Sequence, residues 1–257
     1  MFGFTPLLVF ILVNDNGVGL PVAVLLSLAA AGAIGAVNGL IVTKFGISSF
    51  LVTLSGQLIV SGGALYLSSG FPQPTLEVES WLAPLLVGKF SLSGVTIYVG
   101  LLWFLGLACA LWYVLAQTRY GNWIKATGGN RDAARARGIN TDRVTITLFM
   151  LVSVLAGLGG VISALRIGSA YPTAGTGYEL EAIAIAVIGG TSLFGGAGTV
   201  LGTVIATFLI RAIRNGVVLI GVPGLAYLMF VGLVILLAMV LQTTLLRFRR
   251  PAGRRAS

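Results

Sequence analysis

Few residues in this chain could do chemistry. Among 257 residues there is no histidine, one cysteine and seven acidic side chains. Cys109 sits inside an apolar run, where a small buried side chain is the ordinary role of cysteine. A His/Cys metal site, an intrachain disulfide and any histidine-based triad or relay are therefore excluded. A phosphate-binding loop of the form G-x4-G-K-[ST] is also missing, because Lys44, Lys89 and Lys125 are each followed by something other than Ser or Thr. If ATP drives this protein, another chain binds it. No residue constellation for catalysis stands out, and no catalytic residue is assigned.

Two segments stand out among the polar residues that remain. The first reads Gly-Ser-Ala-Tyr-Pro-Thr-Ala-Gly-Thr-Gly-Tyr-Glu-Leu-Glu over 168–181, then Ile-Gly-Gly-Thr-Ser-Leu-Phe-Gly-Gly-Ala-Gly over 188–198. Helices broken at membrane depth are tolerated only where protein or a water-filled cavity satisfies their backbone. Short, glycine-interrupted apolar segments therefore point to a transport path, with a purely structural kink as the alternative. On this reading the path residues are Gly175, Thr176, Gly177, Tyr178, Glu179, Glu181, Gly189, Gly190, Thr191 and Ser192. Thr176-Gly-Tyr-Glu179 also matches a capping box, which would give Glu179 a structural task. Glu181 is left as a candidate for a proton or substrate contact; an ion-coupled carrier would place an acid in mid-membrane, and the long apolar runs hold none. The second segment is the basic loop 117–143. Asn130 suits an N-cap, Asp132 a first turn and Gly138 a C-terminal stop, so Arg131–Arg137 reads as a two-turn helix. So short a helix needs a surface to dock on, either a groove on a partner or the phosphates of the lipid.

The surrounding elements must be membrane spans. The chain is 57% hydrophobic and 9% charged, against about 25% charged in soluble domains. The apolar runs are 20–43, 50–67, 95–116, 144–165 and 225–241, each near the ~20 residues a span needs. Residues 1–13 are short for a span and lack the basic start and small-residue cleavage site of a signal peptide. The pieces 180–194 and 199–210 are short, and are read as two spans or a re-entrant hairpin. The fold class is an all-α polytopic helical bundle of about eight membrane segments, forming one transmembrane domain over 1–257. Loop 68–94 carries Trp81 as an interfacial anchor and a possible surface helix at 81–87. GxxxG patterns at Gly35–Gly39 and Gly198–Gly202 suit close helix packing.

Charge placement orients these spans. Loop 117–143 holds six basic and two acidic residues, tail 243–257 holds five arginines, and together they account for the whole formal charge of +9. A basic tail could suggest nucleic acid, but beside a terminal apolar helix the positive-inside rule explains it better. Loop 117–143 and the C-terminus are then cytoplasmic. Parity requires 180–210 to return to the side it left, which puts Arg211 and Arg214 outside.

Several stretches resemble one family. Ala126-Thr-Gly-Gly-Asn-Arg-Asp-Ala-Ala-Arg-Ala-Arg-Gly-Ile139 is similar to the cytosolic coupling loop of bacterial ATP-binding cassette sugar permeases of the ribose/xylose type. Pro172–Glu181, Val187–Gly196, Asn215–Pro223 and Asn38–Leu54 resemble further signatures of that family, in order along nearly the whole chain. The resemblance implies the permease subunit of a monosaccharide importer in the bacterial inner membrane. Its partners would be a separate ATPase that binds ATP and magnesium, a second permease copy or homologue, a sugar-binding protein outside, and lipid. This chain itself would bind no cofactor. Gly128, Gly129, Asn130, Ala133, Ala134, Gly138 and Ile139 would form the ATPase-coupling loop. Asn215 would join the path, and Asn38, Gln57, Tyr178 and Thr191 are plausible sugar contacts, since such sites combine aromatic faces with hydrogen-bonding groups. Family members carry about ten spans and an early Gly-Gly-Ile-Asp-Leu-Ser-type motif that this sequence lacks, which implies two spans fewer here. Branched-chain amino acid permeases share the broad architecture. That class, an ion-coupled carrier and a truncated subunit that does not transport are the alternative readings.

Overall fold

A computed structural model describes residues 1–74, 81–92, 95–193 and 195–219, together with Met229, Gly232, Leu233 and Leu236. The expected last span, 225–241, and the basic tail, 243–257, fall outside the described residues, those four positions aside. The elements are α1 (Phe4–Asn14), α2 (Leu20–Phe45), α3 (Ser49–Leu67), α4 (Leu82–Val87), β1 (Lys89–Leu92), β2 (Val95–Tyr98), α5 (Val99–Gln117), α6 (Arg119–Gly129), α7 (Arg131–Ala136), α8 (Thr141–Ile167), α9 (Tyr178–Ile188) and α10 (Val200–Leu219). Among the described residues, α2, α3, α5 and α8 are long and apolar enough to cross a membrane. They keep large apolar side chains on their outer faces, Leu25, Leu58, Ile59 and Val152 among them. Water would penalise that surface and lipid does not.

The chain forms two compact units. One comprises residues 1–107 and 132–176, the other 108–131 and 177–257. In the first, α2 lies along α8, and α1 packs on both. Glycine makes the α2–α8 approach possible. A Cβ added at Gly35 would lie 2.6 Å from the carbonyl oxygen of Phe149, and one at Gly39 would lie 2.8 Å from the Cα of Ile146. Backbone therefore meets backbone along the first predicted GxxxG pattern. Val9, Phe10, Val13, Leu20 and Val161 fill the core beside it.

The described residues are mostly helical, as expected, and three details differ. A short hairpin interrupts the helices: β1 and β2 pair antiparallel, Lys89 opposite Tyr98 and Leu92 opposite Val95. The alternation Val95-Thr-Ile-Tyr98 suits a strand, and absorbing it into the next apolar run set the start of the span too early. The hairpin holds the Tyr98 ring 4.3 Å from the Arg166 guanidinium carbon. The piece expected at 199–210 continues to Leu219 through both arginines. Finally, α6 was not foreseen, because Gly121, Gly128 and Gly129 weaken its helical signal. Its N-cap is Thr118, whose hydroxyl accepts from the Gly121 amide at 3.2 Å. A short helix is present where one was expected at 81–87, as α4, and its Leu86 packs into the core.

Replacing Gly35 by Ala is expected to destabilise the detergent-purified chain by about 1–3 kcal/mol, the usual effect of overpacking. Gly62→Ala, with nothing within 4 Å of the added carbon, is the control and is expected to keep or raise the melting temperature, since alanine favours the helix by about 1 kcal/mol over glycine.

Candidate functional site

The second unit contains an antiparallel helical hairpin, α9 and α10. Helix α9 ends in a Schellman arrangement: the Thr191 amide donates to Ala186 O and the Gly190 amide to Val187 O, with Gly190 at φ +83°. The turn is then held from inside. The Ser192 amide donates to Ala197 O at 2.9 Å, and the Thr199 hydroxyl, which lies 3.4 Å from Gly189 O, accepts from the Gly202 amide at 3.2 Å. A Cβ on Gly189 would lie 2.6 Å from the Thr203 amide nitrogen, so the two helices touch at this end through backbone. Farther along, Ala184 and Ile185 pack against Ala206 and Ile210.

At the other end of the hairpin sits a charged cluster. Glu181 is buried, with 6% of its side chain exposed. Arg211 Nη2 lies 3.3 Å from its Oε1, and Arg214 Nη1 lies 3.7 Å from its Oε2. Among the described residues, Glu181 Oε1 has no hydrogen-bond partner and is sealed from solvent. The guanidinium carbon of Arg211 stands 5.6 Å from the centroid of the Tyr178 ring, within cation–π range. Both arginines spring from α10 and both reach the one buried carboxylate of α9.

The turn of the hairpin meets the end of α6. A Cβ on Gly195 would lie 2.5 Å from Gly128 O, one on Gly128 would lie 2.9 Å from the Gly196 amide nitrogen, and one on Gly196 would lie 2.9 Å from Gly129 Cα. The basic loop and the glycine-interrupted segment, read from sequence as separate features, are here in backbone contact.

In the first unit the basic loop runs on through α7 into α8. Helix α7 stops at Gly138, φ +82°, with the Ile139 amide on Ala134 O and the Gly138 amide on Arg135 O. Arg135 then turns back to α8: its Nε donates to Thr141 Oγ1 at 2.9 Å and its Nη2 to Asp142 Oδ1 at 2.8 Å. The Asn140 side chain caps α8 by accepting from the Arg143 amide at 3.0 Å. Helix α7 is thereby fastened to the first turn of a long span.

A family model described as the permease component of branched-chain amino acid transport systems matches residues 1–239. The chain belongs to this permease family. The Ribose import permease protein RbsC of Escherichia coli (strain K12) is 40% identical over 85% of this chain and 68% of its own length. The Galactose/methyl galactoside import permease protein MglC of Haemophilus influenzae (strain ATCC 51907 / DSM 11121 / KW20 / Rd) is 32% identical over 87% of this chain and 67% of its own. The D-allose transport system permease protein AlsC of Escherichia coli (strain K12) is 36% identical over 82% of this chain and 63% of its own. No solved structure matches the chain. The protein is thus a multi-pass membrane permease, of a family that carries solutes rather than catalysing reactions.

Within this permease, the residues expected to line a path fall into separate groups. Tyr178 and Glu181 share the charged cluster, and Gly189, Gly190, Thr191 and Ser192 form the hairpin turn. Glu179 lies in the first turn of α9. Thr176 does not cap α9: its hydroxyl donates to Thr173 O at 2.7 Å, and Gly177, at φ +85°, takes the N-cap position. Gly175, also left-handed, packs against the Phe2 ring in the first unit. There Asn38 of α2 lies against Gly56 of α3, one residue before Gln57. Asn215 is exposed on α10. In the coupling loop Gly128 and Gly129 meet the hairpin turn and Asn130 joins α6 to α7. Ala133 is exposed, whereas Ala134 is 3% exposed and faces inward. Arg211 and Arg214 were missed as site residues. Topology placed them outside, but both turn to Glu181 on the facing helix. Their signal was the spacing i, i+3, which puts two cations on one helix face.

Gly128→Ala is expected to lower thermal stability and to open the hairpin turn to protease, despite alanine's helical advantage of about 1 kcal/mol over glycine. Gly129→Ala, whose added carbon meets its nearest neighbour at 3.8 Å, is expected to do neither.

Proposed function

We propose that this chain is the permease subunit of an ATP-driven monosaccharide importer of the bacterial inner membrane. The observation that carries the reading is the join between the basic loop and the broken hairpin at Gly128, Gly195 and Gly196. An importer powered by another chain needs its cytosolic docking element in mechanical contact with its path, and a backbone join of this kind would supply that contact. Among relatives named for a solute, ribose, galactose and allose importers match at 32–40% identity over most of the chain, which supports a sugar over a branched-chain amino acid.

On this reading loop 117–143 and the C-terminus are cytosolic, and a separate ATPase supplies ATP and magnesium. A second permease subunit and an external sugar-binding protein complete the machine. The exposed face of α7 that carries Ala133 meets the ATPase, while Ala134 anchors α7 inward. Movement of the ATPase reaches the spans by two routes: Arg135 into α8, and Gly128 into the hairpin. A ligand or partner moves an equilibrium only through contacts that differ between its states, so the α7 contact must differ with and without ATP. With the hairpin turn at the cytosolic face, the 11 residues of α9 reach about 16 Å, roughly half of a ~30 Å hydrocarbon layer. Tyr178 and Glu181 then lie near the midplane, where broken helices of transporters hold their solutes.

The test is co-expression with the ATPase encoded beside this chain. Ala133→Asp is expected to abolish co-purification while the chain remains inserted and folded, and Ala134→Asp to lower its melting temperature. Asp142→Asn loses an exposed ion pair worth about 0–1 kcal/mol, so its expected effect is on uptake per ATP hydrolysed rather than on stability. No complex with wild type, or an Ala133→Asp complex as firm as wild type, counts against the reading.

A further inference from the structure

We infer that the cleft between α4, β2, α5 and α8 holds one anionic phospholipid, with its phosphate on Arg166 and Lys89 and an acyl chain in the cavity beneath them. The site lies within the first unit and uses no residue of the solute path, so it goes beyond the importer reading and stands without it.

A cavity of about 330 Å³ opens among the ends of the spans. Leu86 and Val87 of α4, Ile97 of β2, Leu101 of α5 and Ile162 of α8 supply its apolar lining, and Arg166 is its one charged lining residue. That volume falls within the ~300–1,000 Å³ of small-ligand sites. Helix α5 runs into the basic loop at Gln117 and α8 leaves that loop at Thr141, so their other ends, at Val99 and Ile167, stand at the opposite membrane face. Arg166 is in the last turn of α8. Ile162, four residues earlier, lies about 6 Å deeper in the bilayer at ~1.5 Å per residue. The cleft is therefore cationic at the headgroup level and apolar below it. Its polarity runs along the membrane normal, as that of a phospholipid does. Leu101 is exposed on a helix that buries none of its described residues, so lipid reaches the cavity from the α5 side.

Charge selects the head group. Among the described residues Arg166 has neither a carboxylate partner nor a hydrogen-bond acceptor; its guanidinium carbon stands 4.3 Å from the centroid of the Tyr98 ring. Contact with a ring face consumes none of the five N–H donors. Lys89 is the cross-strand partner of Tyr98, which puts both side chains on one face of the hairpin with Cβ atoms about 5 Å apart. Lys89 also has no carboxylate partner among the described residues. Two cations beside one ring repel each other, and an anion between them removes that cost. A phosphodiester brings the charge and the acceptor oxygens that arginine and lysine bind. A sugar or an amino acid would leave the apolar wall unmet, and free phosphate would leave the cavity unfilled. Trp81 is exposed at the start of α4, and the Trp103 indole N–H donates to Leu85 O at 3.0 Å. Such aromatic side chains mark the headgroup level.

The experiment titrates the purified chain, in an uncharged detergent, with phosphatidylglycerol, with phosphatidylcholine of the same acyl chains, or with inorganic phosphate. Native mass spectrometry counts retained lipid and thermal unfolding reads its effect. Wild type is expected to retain one phosphatidylglycerol in preference to phosphatidylcholine and to melt higher with it, while inorganic phosphate has no effect. Arg166→Gln and Lys89→Gln are each expected to weaken phosphatidylglycerol binding about tenfold, the usual effect of losing a charged hydrogen bond. Leu101→Trp, which fills the cavity from its exposed side without removing charge, is expected to do the same. Arg166→Lys keeps the cation and is expected to bind nearly as wild type does, which guards against misfolding of the glutamine variant. Lys44→Gln, at the basic-loop end of α2, is expected to change nothing. Equal stabilisation of wild type, both glutamine variants and Leu101→Trp would mean that lipid acts only as solvent, and the site is overturned. Retention of no phosphatidylglycerol overturns it too. If inorganic phosphate reproduces the effect, or Leu101→Trp binds as firmly as wild type, the rim takes an anion and the cavity holds no chain, which overturns the phospholipid assignment. Uptake is not the readout, so failure of the importer reading leaves each of these outcomes intact.

Discussion

Helix backbones in this permease come together without a side chain between them, and the architecture depends on that approach. In lipid the hydrophobic effect gives helices no reason to associate, so contact must come from close packing and polar links. Glycine at Gly35 and Gly39 lets α2 meet α8, and glycine at Gly189 lets α9 meet α10. The same device appears where Gly128 meets Gly195 and Gly196, but there it joins a helix end to a turn. Two backbones with no flexible side chain between them transmit displacement directly, as packed interiors with few voids do.

The α9–α10 hairpin therefore has two unlike ends. The turn is closed by its own hydrogen bonds, from Ser192 to Ala197 and around Thr199, and meets α6 through backbone at Gly195 and Gly196. The opposite end is polar and incompletely bonded. Burying a charge is tolerable only when it is paired, and Glu181 meets that condition through Arg211 and Arg214. A buried ion pair is weak evidence of stability, because desolvation offsets much of the attraction. What the two arginines do is make the burial of a carboxylate between α9 and α10 tolerable.

The sequence reading succeeded where one physical rule acts alone. Long apolar runs became α2, α3, α5 and α8 because lipid imposes length and composition on spans. Gly138 stopped α7 because a left-handed backbone there favours glycine. It failed where two rules compete. Val95–Tyr98 is as apolar as the span it precedes, and only its alternation separated strand from helix. Thr176 and Glu179 satisfied the spacing of a capping box, yet Gly177 took the N-cap. The partnership of Glu181 with Arg211 and Arg214 lay beyond periodicity, since 30 residues part Glu181 from Arg211 and only the folding back of α10 on α9 unites them.

The α2–α8 seam also has a history during synthesis. Gly35 and its partners near Met150 are about 115 residues apart, which at ~5–20 residues per second separates their appearance by roughly 6–23 s. Through that interval α2 carries a shallow, small-residue groove with no occupant from its own chain. Lipid must fill it, or another nascent helix must shield it, until α8 arrives and displaces that guest. The backbone-to-backbone seam at Gly35 and Gly39 is thus among the last long-range contacts that α2 can complete.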